Sequence, residues 1–166
     1  MSPRMLFPLM LGSLLLSAGT STPAAAADLV LRGAFSGTQV VSATESAATG
    51  EVNAVLGDDD DLQIDLVYAG VAEGVEGVAL HLGSANENGE RVAELDADTD
   101  TVAGQLRGAT VSLSATQAAR VRAGESYLVI TTLAYPDGAV RAQLDPQPAQ
   151  LDDFAEPPVE PEEEGD

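Results

Sequence analysis

The stretch Gly124–Leu144, GESYLVITTLAYPDGAVRAQL, constrains the fold of this chain more than any other. Tyr127 to Leu133 is a run rich in aliphatic and β-branched residues. Pro136, Asp137 and Gly138 follow with a pre-set φ, a side chain able to bond its own backbone, and a residue free to take positive φ. Past them Val140, Ala142 and Leu144 alternate with Arg141 and Gln143, the period of a half-buried strand. Together these residues predict a β-hairpin.

The same pattern recurs upstream. Leu29–Phe35 predicts a first strand, and Gly37 opens a Ser/Thr/Ala-rich connection. In Gly50–Leu56, Val52, Ala54 and Leu56 alternate with Glu51 and Asn53. After the acidic turn Asp58–Asp61, Leu62, Ile64 and Leu66 alternate with Gln63 and Asp65 as far as Tyr68, which predicts a second hairpin. Val78, Leu80 and Leu82 alternate with Ala79 and His81. The Asn-rich loop Ser84–Gly89 leads into Arg91–Leu95, and Val102–Leu113 is an extended segment broken at Gly104 and Gly108. One segment is helical: Ser114 at the N-cap and Gln117 three residues on form a capping box before Ala118–Arg122, and Gly124 closes it. Short strands between Gly and Asp turns predict an all-β domain. The expected architecture is an antiparallel β-sandwich or barrel of about seven to nine strands, with one short helical turn near Ala115–Ala123.

Composition sets the limits of that domain. Residues 1–27 carry Arg4, an apolar run from Met5 and Ala-x-Ala around Ala24–Ala27, the layout of a secretory signal peptide. Pro8, Gly12 and Ser13 interrupt the run, which argues against a membrane anchor. Residues 28–145 are long enough to bury a core without the disulfides that secreted domains often use, and the chain has no Cys. Residues 146–166 are acidic and Pro-rich, a composition that predicts a disordered tail. The seven basic residues are all Arg, against 27 acidic ones. Without Arg4 the mature chain stands at six Arg to those 27 acids, a net charge of −21. Such a surface repels nucleic acid and anionic membrane. Arg without Lys, amid abundant Asp, Glu, Ala and Val, suggests a salt-loving or GC-rich bacterial source.

Three pieces carry a family resemblance. Phe35-Ser-Gly-Thr-Gln-Val-Val with Ala48-Thr-Gly-Glu-Val forms an opening. Val78-Ala-Leu-His-Leu-Gly precedes a Gly-containing loop. Leu113–Leu144 gives a closing helical turn and a hairpin that ends in Gly-x-Val-Arg-x-Gln-Leu. In this order and spacing they resemble the chordin-type (CHRD) domain over roughly Leu29–Leu144. The resemblance implies an immunoglobulin-like or CHRD-type β module that works in the secreted or periplasmic space, with no reaction attached. It also exposes departures. The family's usual His-x-His pair keeps only its second member, His81, with Ala79 in place of the first. The His expected before Thr132 is Thr131, and Ala142 replaces a usual Gly after Arg141.

Chemistry-bearing constellations are sparse. His81 is the only His, and with no Cys it cannot build a zinc site from N and S ligands. Asp96, Asp98 and Asp100 have calcium-loop spacing, but Thr101 stands where the loop needs Gly and Arg107 where it needs Glu. Hydrolase and phosphate-binding motifs are absent from the sequence. Arg141, near Tyr127 and Tyr135, is a positive group among aromatics; the bland reading, a structural hairpin Arg packing its stem or pairing with a carboxylate, is preferred. Loops on a rigid scaffold usually carry binding, so His81, Asn86, Asn88 and Arg141 are the binding candidates, although Asn86, Asn88 and Gly89 also fit an ordinary turn. No catalytic or metal residue and no cofactor is expected. The expected partner is an unknown extracytoplasmic protein or matrix component, with no nucleic acid and no membrane span after signal cleavage. The reading is a non-enzymatic binding or structural module, with a metal-binding or enzymatic protein on the same scaffold as the alternative.

Overall fold

The computed structural model describes residues 28–98 and 100–148. The expected signal peptide, and the expected tail beyond Pro148, lie outside the described residues. Among the described residues, nine strands form two antiparallel sheets: β1 (Leu29–Phe35), β2 (Thr49–Leu56), β3 (Asp61–Ala69), β4 (Gly77–Leu82), β5 (Glu90–Leu95), β6 (Ala103–Ser112), β7 (Ser126–Thr131), β8 (Val140–Gln143) and β9 (Asp145–Pro146). The larger sheet runs β6-β3-β2-β1-β9 and the smaller β5-β4-β7-β8. Of the two architectures expected, the chain adopts the sandwich.

The alternating residues are the ones that meet between the sheets. Leu31, Phe35, Val52, Ala54, Leu56, Leu62, Ile64 and Leu66 from the larger sheet face Val78, Leu80, Leu82, Leu128, Ile130, Val140 and Ala142 from the smaller one, all buried in a single core. Period-2 spacing puts one face of each strand inward, and side-chain burial of this kind contributes about 1.5–3 kcal/mol per large aliphatic residue. Both expected hairpins form, with Val52 opposite Leu66 and Leu128 opposite Ala142.

The helix α1 (Ala115–Arg122) starts as expected. Ser114 Oγ accepts from the Gln117 N–H at 3.3 Å, and Gln117 Oε1 accepts from the Ser114 N–H at 2.9 Å. Ala118 and Val121 bury its inner face. Arg122 then reaches 2.9 Å to Asp60 in the β2–β3 turn.

Three details depart from the sequence-based expectation. β6 is one strand rather than a broken segment: it pairs with β3 along its length, and only the register shifts between Ile64 and Leu66. Gly108 sits at that bulge with φ +65°, a conformation costly for other residues, and its N–H donates to Asp65 Oδ1 at 2.7 Å. A short 3-10 turn, Gly37–Gln39, opens the connection after β1. Pairing also runs past Asp145, since Pro146 lies opposite Leu31 and the Gln147 N–H donates to the Val30 carbonyl at 2.8 Å.

Candidate functional site

The outward face of the smaller sheet carries the side chains of interest. His81 on β4 pairs directly with Tyr127 on β7, and Arg141 on β8 pairs with Val129 one step along. Strand order therefore places Tyr127 between a histidine and an arginine. The His81 and Tyr127 rings stack with centroids 5.2 Å apart at 18°, and Arg141 Cζ lies 3.5 Å from the Tyr127 centroid. Cation–π contact of this kind is strongest when the cation is desolvated, and Arg141 is only 2% exposed.

Arg141 is engaged by backbone and by Gln143. Its Nη1 donates to the Glu87 carbonyl at 2.8 Å, and its Nη2 to the Ser84 carbonyl and to Gln143 Oε1, each at 2.7 Å. The planar fork of a guanidinium suits several acceptors at once. Tyr127 takes the other end of the same loop, its hydroxyl accepting from the Gly89 N–H at 2.9 Å. Gln143 completes the clamp by donating to the Gly83 and Gly124 carbonyls at 3.1 and 2.8 Å. The loop Ser84–Gly89 is thus held by Arg141 and Tyr127, while Gln143 ties its root at Gly83 to Gly124. Gly89 seats it closely: a Cβ there would collide with the Leu82 carbonyl oxygen.

A cleft of about 780 Å³ opens beside this loop on the outer face, between the loop, β5 and the Tyr135–Gly138 turn. Ala79 and Val129 line it with His81, Thr131, Glu94 and Asn88. Gly77, with no side chain, and Ala79, with only a methyl group, leave this room. A Cβ on Gly77 would lie 3.4 Å from Thr131 Oγ1 and 3.8 Å from Glu94 Oε1, so those two polar groups converge over the β4 end of the cleft. His81 Nδ1 lies 3.3 Å from the Gly89 carbonyl. Burial presses the imidazole pKa below its usual value; Arg91 and Arg141 push the same way and the Gly89 hydrogen bond opposes them. Burial likewise lowers the Arg141 pKa, against the opposing influence of Tyr127 and Glu87.

Of the four candidates read from the sequence, His81 and Asn88 line the cleft. Asn86 sits on the exposed part of the loop with φ +67°. Arg141 is buried, and its guanidinium holds the loop through the Ser84 and Glu87 carbonyls rather than pairing with a carboxylate. Ala79 and Thr131, where histidines were expected from the family pattern, line the same cleft as His81. The anchoring roles of Tyr127 and Gln143 were missed, although alternation along β7 and β8 already put both on the outward face. Glu94 and Gly77 had no sequence signal, because the cleft is assembled across strands.

Comparison with known proteins adds one finding. A family model described as the CHRD domain matches residues 31–144. No curated protein and no solved structure matches the chain.

Proposed function

The chain belongs to the CHRD-domain family, and from that premise we propose that it is a secreted module that binds an extracytoplasmic protein or matrix component in the cleft beside His81 and Asn88. CHRD domains are in general non-enzymatic and extracellular. The observation that carries the binding role is the cleft, an apolar floor of Ala79 and Val129 under a polar rim of Asn88, Thr131 and Glu94. Concave sites with an apolar base and a few convergent polar groups are the usual form of a binding site. The rim loop is held by Arg141 and Tyr127, with its root at Gly83 braced by Gln143, which lowers the ordering cost of binding. Among the described residues no group of three His, Cys, Asp or Glu could hold a metal ion, and no observation favours the metal-binding or enzymatic alternative.

The test is capture of extracellular partners by the tagged protein and its variants, with thermal unfolding measured on each. His81→Ala and Asn88→Ala should lose the captured species, as should Ala79→Leu, which fills the floor, while Asn86→Ala keeps it. Capture as in wild type by Ala79→Leu, His81→Ala and Asn88→Ala, all folded, would remove the cleft as the binding site.

A further inference from the structure

The cleft rim contains the dipeptide Asn88-Gly89. Asparagine followed by glycine is the pair most prone to spontaneous deamidation, because glycine has no side chain to hinder attack by its own backbone nitrogen. In that reaction the Gly89 amide loses its proton and its nitrogen attacks Asn88 Cγ. The bond from Cγ to the side-chain nitrogen breaks, and ammonia leaves with the proton. The cyclic imide so formed takes up one water at either carbonyl, giving aspartate or isoaspartate at position 88. No enzyme or oxidant is needed.

Asn88 is exposed, so solvent base and water can reach it, but the attacking atom is held. The Gly89 N–H donates to the Tyr127 hydroxyl at 2.9 Å. That hydroxyl is fixed in turn, because the Tyr127 ring is 2% exposed and packed against His81 and Arg141. Gly89 is also seated hard against the Leu82 carbonyl and cannot swing without lifting the loop. We propose that Asn88-Gly89 is a deamidation site of this protein, and that Tyr127 restrains it by engaging the Gly89 amide. Reaction then requires local opening of the loop, and its native rate is the rate in the unfolded chain scaled by the open fraction.

The product changes the cleft. Either product adds a negative charge to the cleft that Glu94 also lines, and isoaspartate also lengthens the backbone by a methylene, which disturbs the seat of Gly89 on the Tyr127 hydroxyl. The inference stands independently of any ligand.

The full chain is held in mildly alkaline buffer, and position 88 is followed by peptide mass mapping and isoaspartate-specific methyl labelling. Native wild type should convert at least about tenfold more slowly than the same protein in urea, since the reaction samples only the opened loop. Native Tyr127→Phe should convert about three- to tenfold faster than native wild type, the change in open population expected for losing one hydrogen bond. Hydrogen exchange on the wild-type protein supplies a second readout that needs no variant: the Gly89 amide should be protected. Equal rates in the native and urea-unfolded protein would overturn the restraint, as would an unprotected Gly89 amide, or a folded Tyr127→Phe that converts at the wild-type rate. No conversion even in urea would overturn the site itself.

Discussion

Arg141 and Tyr127 hold opposite ends of one loop while touching each other. The guanidinium carbon lies 3.5 Å from the centre of the ring; the arginine takes the carbonyls of Ser84 and Glu87, and the phenol takes the amide of Gly89. Arg141→Lys keeps the charge but has no planar fork to serve separate acceptors. We expect a loss of about 1–3 kcal/mol, the usual cost of leaving buried polar groups unpaired. Arg141→Ala should lose more. Urea unfolding measures both, and a lysine variant as stable as wild type would remove the clamp as a source of stability.

Stability should fall in mild acid through His81. Its folded pKa lies below its unfolded value because burial disfavours the charged ring. Between the two values the unfolded chain binds more protons, so stability rises with pH across that window. The contribution is complete above the unfolded value of about 6.5 and is lost as pH falls from there toward the folded value. His81→Gln should flatten that part of the pH profile of thermal unfolding. An unchanged profile would count against a half-buried, neutral imidazole.

Two loop positions should respond differently. Gly89→Ala places a Cβ onto the Leu82 carbonyl, and overpacking of this kind costs about 1–3 kcal/mol. Asn86 has φ +67° and faces solvent, so Asn86→Gly should be tolerated within about 0.5 kcal/mol. Hydrogen exchange of residues 84–89 should rise in the first variant and stay near wild type in the second. Equal behaviour of the two would mean that the loop is not seated as described.

Much of the sandwich was legible because alternation is a local signal. Val52, Ala54 and Leu56 announce their own inward face, and Ser114 with Gln117 announces its own helix start. Gly104 and Gly108 misled for the same reason: locally they break a strand, but pairing with β3 carries β6 through both, and a bulge absorbs the extra residue. The site was legible only in part. His81 and Asn88 were singled out by residue type and by position near a loop, whereas the clamp needs β4, β7 and β8 side by side before Tyr127 and Gln143 acquire their partners. The cleft is less visible still, since it arises from what Gly77 and Ala79 lack rather than from any group they supply.

The pairing of β9 with β1 fixes how this domain would meet a mechanical load. Arg32 faces Asp145, Leu31 faces Pro146 and Val30 holds Gln147, so the two ends of the described domain run out side by side from one rim of the larger sheet. Tension between them would load those few hydrogen bonds one after another, as a zip opens, rather than all at once in shear. Under pulling β9 should therefore peel away at low force. Once it is gone, β1 becomes the bare margin of the sheet, open to pairing with another strand.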